Sequence, residues 1–89
     1  MLTILMATHN GASTLPSVLD SYLQLAPPTG GWCLVVIDNA STDDTSKIIK
    51  SFTNKLPLLP LFTERRGKNV ALNIGLRHIE GDLVVFTDD

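Results

Sequence analysis

The chain has a single cysteine, Cys33, so no internal disulfide can staple it, and a lone thiol inside an apolar run behaves as a small hydrophobe. Charge is scarce too. Only 18% of the 89 residues are Asp, Glu, Lys or Arg, and the formal net charge is -2. That balance excludes the broad basic surface a nucleic-acid partner requires, and it lacks the high charge of a disordered tail. No apolar run approaches the roughly 18 residues of a membrane-spanning helix. The opening stretch Met1 to Ala7 has no basic leader and gives way at once to Thr8-His9-Asn10. Internal repeats and low-complexity tracts are missing as well. These absences leave an ordinary soluble domain as the expectation, cytoplasmic by default, or at the membrane face in a full-length parent. Hydrophobic residues make up 44% of the chain, enough for one modest core. A domain of this size buries about 60 to 65% of its unfolded surface.

The apolar residues are arranged in alternating patterns. Leu2 to Ala7 is a continuous apolar stretch, the signature of a strand covered on both faces. From Ser13, a candidate N-cap, the residues Leu15, Val18, Leu19, Tyr22 and Leu23 recur at helical spacing to about Ala26, with Pro16 tolerated in the first turn. Pro27 to Gly31 reads as a surface connection, and Trp32 to Ile37 as a second buried strand ended by Asp38-Asn39. Ser41-Thr42-Asp43-Asp44 has the composition of a helix entry, a capping hydroxyl followed by first-turn acids. Ile48, Ile49 and Phe52 then share one face up to Thr53. Leu58 to Phe62 is a third strand, and Pro57 and Pro60, which cannot donate ladder bonds, assign it to a sheet edge. Asn69 to Ile79 is a third helix stopped by Gly81, and Asp82 to Phe86 a fourth strand.

This alternation implies right-handed crossovers and a three-layer α/β fold, a mainly parallel four-stranded sheet with helices on both faces. In such sheets ligands bind beyond the carboxyl ends of the strands. Those ends carry Thr8-His9-Asn10, Asp38-Asn39, the basic run Glu64-Arg65-Arg66-Gly67-Lys68, and Thr87-Asp88-Asp89. A basic and an acidic cluster on one rim fit a nucleotide diphosphate held with a divalent cation. A dinucleotide fingerprint is missing, because His9-Asn10-Gly11-Ala12-Ser13 supplies one glycine. A phosphate-binding P-loop fails also, since Phe62 stands where its first glycine belongs and Asn69 where it needs Ser or Thr.

Four blocks in order, Thr8-His9-Asn10 after the first strand, Val36 to Thr45, Gly67 to Leu76 and Gly81 to Asp89, resemble the amino-terminal half of the family-two glycosyltransferases of GT-A fold. The similarity covers essentially the whole chain and implies a nucleotide-sugar-binding half-domain, partial and Rossmann-like. By this resemblance Thr8, His9 and Asn10 pack around the nucleotide base, with His9 in place of a frequent aromatic that stacks. Asp38 and Asn39 match an acidic pair that reads the base, although Asn39 carries an amide, which donates as well as accepts. Lys68, assisted by Arg66, matches a basic position near base or phosphates. Asp88 and Asp89 match the first two positions of an Asp-x-Asp metal motif for Mn or Mg whose third position lies beyond residue 89.

The resemblance further implies inverting transfer of a sugar from a UDP- or dTDP-sugar to an acceptor hydroxyl on a glycan or lipid-linked sugar, with turnover not expected from these residues alone and no general base assigned among them. The residues by themselves leave a second reading, a noncatalytic nucleotide-binding or assembly module that self-associates through an open sheet edge. Ser41, Asn69 and Asn73 are read as caps or helix-surface residues. A receiver-like signalling domain is disfavoured, because Phe62-Thr63-Glu64 stands where its acceptor aspartate belongs.

Overall fold

A computed structural model of the chain describes residues 2–26, 29–77, 79 and 83–88. Its elements alternate: β1 (Leu2–Thr8), α1 (Leu15–Leu23), β2 (Trp32–Asn39), α2 (Thr45–Phe52), β3 (Leu58–Thr63), α3 (Lys68–Leu76) and β4 (Leu83–Asp88). The strands form one sheet in the order β3-β2-β1-β4, and all three pairings are parallel. The expected three-layer α/β architecture is therefore present, with β3 at an edge as its prolines require. The Leu34 N–H donates to the Pro57 carbonyl at 2.9 Å. That bond sets the phase of the ladder, and two-residue alternation turns the backbone of Pro60 outward, where its missing donor costs no ladder bond.

All four strands run further than their apolar residues suggest, β3 by Thr63 alone. Thr8, Asp38, Asn39 and Asp88 all belong to strands, because each has a partner in register: Thr8 beside Asp38, Asn39 beside Thr63, and Ala7 beside Asp88. The helices are shorter than expected at some ends. α1 begins at Leu15, so Thr14 and not Ser13 takes the N-cap position, and it makes no side-chain capping bond. The Gly11 carbonyl instead accepts the Leu15 N–H at 2.7 Å. α3 starts at Lys68 after Gly67, whose φ of 133° lies where side chains are strained, so Asn69 is inside the helix and is not its cap. The expected Gly81 stop and the Pro27-Pro28 connection lie outside the described residues.

The pleat divides the core into two layers. Met6, Leu34 and Val36 point to one face and pack with Leu15 and Leu19 of α1 and Ile49 and Phe52 of α2. Leu5, Ala7, Val35 and Ile37 point to the other, with Cys33, Leu61 and Ile79 against them. Strands covered on both faces need apolar residues at every position, which is why they read as continuous runs. At the amino ends of the strands Trp32 stacks on Tyr22 with ring centroids 5.8 Å apart.

α3 approaches the second face closely through Gly75. A Cβ there would lie 3.0 Å from Ile37 Cδ1 and 3.2 Å from Leu5 Cδ2, tighter than ordinary van der Waals contact. Gly75→Val adds bulk to a filled interface, where overpacking costs about 1–3 kcal/mol. Urea denaturation followed by circular dichroism checks this, and a variant as stable as the parent would show that α3 shifts away freely.

Candidate functional site

Parallel pairing places the carboxyl ends of all four strands on one rim. Across it, Thr63 lies beside Asn39, Asp38 beside Thr8, and Ala7 beside Asp88. Topology thus brings together three of the four clusters expected there by their backbones alone. The fourth, the basic run, follows β3: Glu64, Arg65 and Arg66 are exposed, and Lys68 opens α3. Thr63 turns the chain out of the sheet, its Oγ1 accepting the Arg65 N–H at 3.1 Å.

The loops after β1 and β2 are laced together. The Asn10 N–H donates to Ser41 Oγ at 2.8 Å, and the Thr42 N–H donates to Asn10 Oδ1 at 2.8 Å. The Gly11 N–H donates to Thr45 Oγ1 at 3.0 Å, and the Ala12 N–H to Asp43 Oδ2 at 3.2 Å. Asp43 Oδ1 accepts the Thr45 N–H at 3.0 Å, an Asx turn that also takes the Thr45 hydroxyl. Asn10 and Ala40 adopt positive φ, 50° and 55°, so each loop bends sharply where it meets the other. These contacts correct the local reading of the segment before α2. Ser41 is a partner of Asn10 and not a helix cap. Asp43 and Asp44 precede α2, whose first turn contains no acid. Asp43 works through directed hydrogen bonds rather than through the helix dipole.

His9 and Asn10 face the same network. His9 Nδ1 lies 2.6 Å from the Asn39 carbonyl oxygen, and Nε2 lies 3.3 Å from Asn10 Nδ2. The Asn10 side chain is thus committed to protein partners at both its oxygen and its nitrogen.

Two acceptor atoms stand out. Asp38 is 2% exposed and Asn39 8%, yet Asp38 Oδ2 and Asn39 Oδ1 have no hydrogen-bond partner among the described residues. Buried acceptors are nearly always satisfied, since stranding one costs about 1–3 kcal/mol, so each of these atoms calls for a donor that the described residues do not supply. The other oxygen of Asp38 is occupied, accepting the Ser41 N–H at 3.1 Å. The strand alternation sends Asp38 to the face of Val36 and Asn39 to the face of Ile37, the side covered by α3. Beneath Asp38 a shallow apolar cleft of about 150 Å³ runs between α2 and β3, lined by Ser46, Ile49, Lys50, Pro60 and Phe62 among others.

For a cation, the chain offers Asp88 at the end of β4 in register with Ala7, while Asp89 lies outside the described residues. Among the described residues no three His, Cys, Asp or Glu side chains cluster. The residues that sequence reasoning missed are Thr42, Thr45 and Thr63. The Asp43-x-Thr45 spacing that favours an Asx turn was the signal available for Thr45.

A parallel α/β sheet with polar strand ends belongs to the class of folds in which ligands bind beyond the carboxyl ends of the strands. The chain matches the model of glycosyl transferase family 2 over residues 3–89, and it belongs to that family. It is 31% identical over 88 residues to the poly(ribitol-phosphate) beta-N-acetylglucosaminyltransferase TarS of Staphylococcus aureus, which covers 97% of this chain and 15% of that protein. It is 34% identical over 93 residues to the glucosyl-3-phosphoglycerate synthase of Mycobacterium tuberculosis, covering 98% of this chain and 28% of that one. Among solved structures, the mannosyltransferase PcManGT from Pyrobaculum calidifontis in complex with GDP-Man and Mn2+ superposes with a TM-score of 0.88 at 37% identity, over 98% of this chain and 26% of that chain. S. aureus TarS 1-349 in complex with UDP-GlcNAc gives 0.87 at 30% identity, with the same coverage. The fold is thus that of GT-A glycosyltransferases, and the chain spans less than a third of the length of these relatives.

The loop lacing makes a prediction about acid. The Thr45 hydroxyl, with the Thr45 and Ala12 amides, holds the Asp43 carboxyl below its ordinary value. A carboxylate whose folded pKa is depressed contributes stability above its unfolded pKa and loses it as pH falls through the folded one. Hydrogen exchange at the Ala12 and Thr45 amides is therefore expected to be slow at neutral pH and to lose protection below the ordinary carboxylate range. Asp43→Ala should remove the same protection at neutral pH. Unchanged exchange in that variant would show that the loops are held without Asp43.

Proposed function

We propose that the chain is the donor-binding part of a glycosyltransferase, holding a nucleotide-diphosphate sugar for inverting transfer to an acceptor hydroxyl. The observation that carries this is the presence of two buried acceptors without partners among the described residues, Asp38 Oδ2 and Asn39 Oδ1, on the rim of a family-two sheet. Nucleobases offer the matching chemistry: the uracil and thymine rings present one N–H between two carbonyls, and guanine presents adjacent N–H groups beside one carbonyl. Asp38 can only accept, whereas the Asn39 amide can pair with a ring N–H or a ring carbonyl. A UDP- or dTDP-sugar is the favoured donor, and GDP is the comparison that tests it.

Around the base, Thr8, His9 and Asn10 form the β1 side of the site. Arg66 and Lys68 form its basic side, with Lys68 at the opening turn of α3, where backbone N–H groups and the helix dipole favour phosphate. The consecutive acids Asp88 and Asp89 are of the residue type that suits a hard divalent cation, Mn or Mg, which takes oxygen ligands. When bound, such an ion supplies Lewis-acid stabilisation to a departing diphosphate. The acceptor is a glycan or a lipid-linked sugar, reached on the cytoplasmic side, with no nucleic-acid partner. Residues 1–89 alone bind donor without turning it over.

Titration of the folded chain with UDP, dTDP and GDP, each with and without manganese, followed by amide NMR, tests this reading. One nucleotide should shift Asp38, Asn39 and Lys68 saturably, with the effect of metal strongest at Asp88 and Asp89. Asn39→Ala should then weaken that nucleotide by about 1 kcal/mol, the net worth of a typical hydrogen bond, or about fivefold. A folded chain that gives no saturable shift with any of the three refutes the proposal.

A further inference from the structure

His9 can serve the base as a stacking ring or through its nitrogens, and the hydrogen-bond chain around it engages both nitrogens with protein groups. Two of its end groups have fixed roles. The Thr42 backbone N–H only donates, so Asn10 Oδ1, 2.8 Å away, is the acceptor, and the Asn10 amide nitrogen therefore points the other way. That nitrogen also only donates, so His9 Nε2 at 3.3 Å accepts from it. At the other end the Asn39 carbonyl only accepts, so His9 Nδ1 at 2.6 Å carries the proton. A single neutral tautomer, protonated at Nδ1, satisfies all the groups at once, without reversing Asn10 or freeing Thr42.

The receiving carbonyl belongs to the residue whose side-chain oxygen has no partner among the described residues. Asn39 is the last residue of β2, and the chain bends immediately after it into Ala40 at φ 55°. On the side of the bend, Ser41 is tied to Asp38 Oδ1 and to the Asn10 N–H. His9 ties the Asn39 end. We propose that His9 is a positioning residue that holds Asn39 toward the nucleotide base by its Nδ1–H bond. This rests on the proposed nucleotide site.

Two substitutions separate the roles. His9→Phe keeps an aromatic face and loses both ring nitrogens, whereas His9→Asn loses the face but keeps a side-chain N–H near the position of Nδ1. The wild-type chain is first titrated with the nucleotide it binds. His9→Phe is expected to weaken that nucleotide by about fivefold or more, the loss of one net hydrogen bond and of the order it imposes, and His9→Asn to stay within about twofold of wild type. Long-range proton–nitrogen NMR of the wild-type imidazole should show Nδ1 protonated and Nε2 bare, the less common tautomer of a free histidine. A His9→Phe variant that binds as well as wild type while His9→Asn binds poorly would overturn the inference in favour of stacking. Protonation at Nε2 would overturn it independently of any ligand. A wild-type chain that binds no nucleotide would instead strike the proposed function, and with it the ligand end of this inference, while the tautomer separately confirms or refutes the hydrogen-bond chain.

Discussion

Backbone N–H groups that leave the end of a parallel sheet have no neighbouring strand to donate to, and in this protein they are satisfied by side chains from the adjoining loop. Asn10, Gly11 and Ala12 donate to Ser41, Thr45 and Asp43 in succession, and Thr42 returns a bond to Asn10. The rim depends on this exchange. It fixes the separation of β1 and β2 at their carboxyl ends, allows two non-glycine residues to sit at positive φ, and defines where His9 and Asn39 meet. Individually such bonds contribute on the order of 1 kcal/mol, but as a connected network they restrict the loop to one arrangement.

Below the rim, the sheet works as a partition. Alternate residues of β1 and β2 feed two separate apolar layers, one under α1 and α2 and one under α3. The same alternation continues into the polar strand ends, so Asp38 and Asn39, adjacent in sequence, belong to opposite faces. That separates their duties. Asp38 spends one oxygen on the turn into Ser41, while Asn39 lies on the side where α3 begins with Lys68. Close approach of α3, permitted by Gly75, keeps that side narrow.

Much of the architecture was legible in the sequence because burial on both faces leaves an unambiguous trace. Leu34 to Ile37 is apolar without interruption, and Pro57 and Pro60 can be accommodated only at an edge. The rim was legible for a topological reason: once the strands are parallel, whatever follows each of them is gathered at one end. The strand limits were less readable, since Thr8, Asp38 and Asn39 look like loop residues until a register partner is known. Ser41 and Asp43 were misread for a related reason. A hydroxyl and two acids before a helix suit capping and the dipole locally, but amides 31 residues earlier in the chain compete for the same oxygens.

The sequence by itself determined the order of elements, the edge position of β3, the membership of glycosyl transferase family 2 and the identity of the polar residues available at the rim. Those follow from periodicity, from the missing donor of proline and from motif order, all of which are local or linear properties of the chain. Tertiary structure alone decided which of the rim's polar atoms are consumed by the protein and which are left over. Asn10 and Asp43 are used up in holding two loops together, and Asp38 Oδ2 and Asn39 Oδ1 remain unpaired among the described residues. A hydrogen-bonding group can be counted from sequence, but whether it is spent depends on what the fold brings within about 3 Å of it.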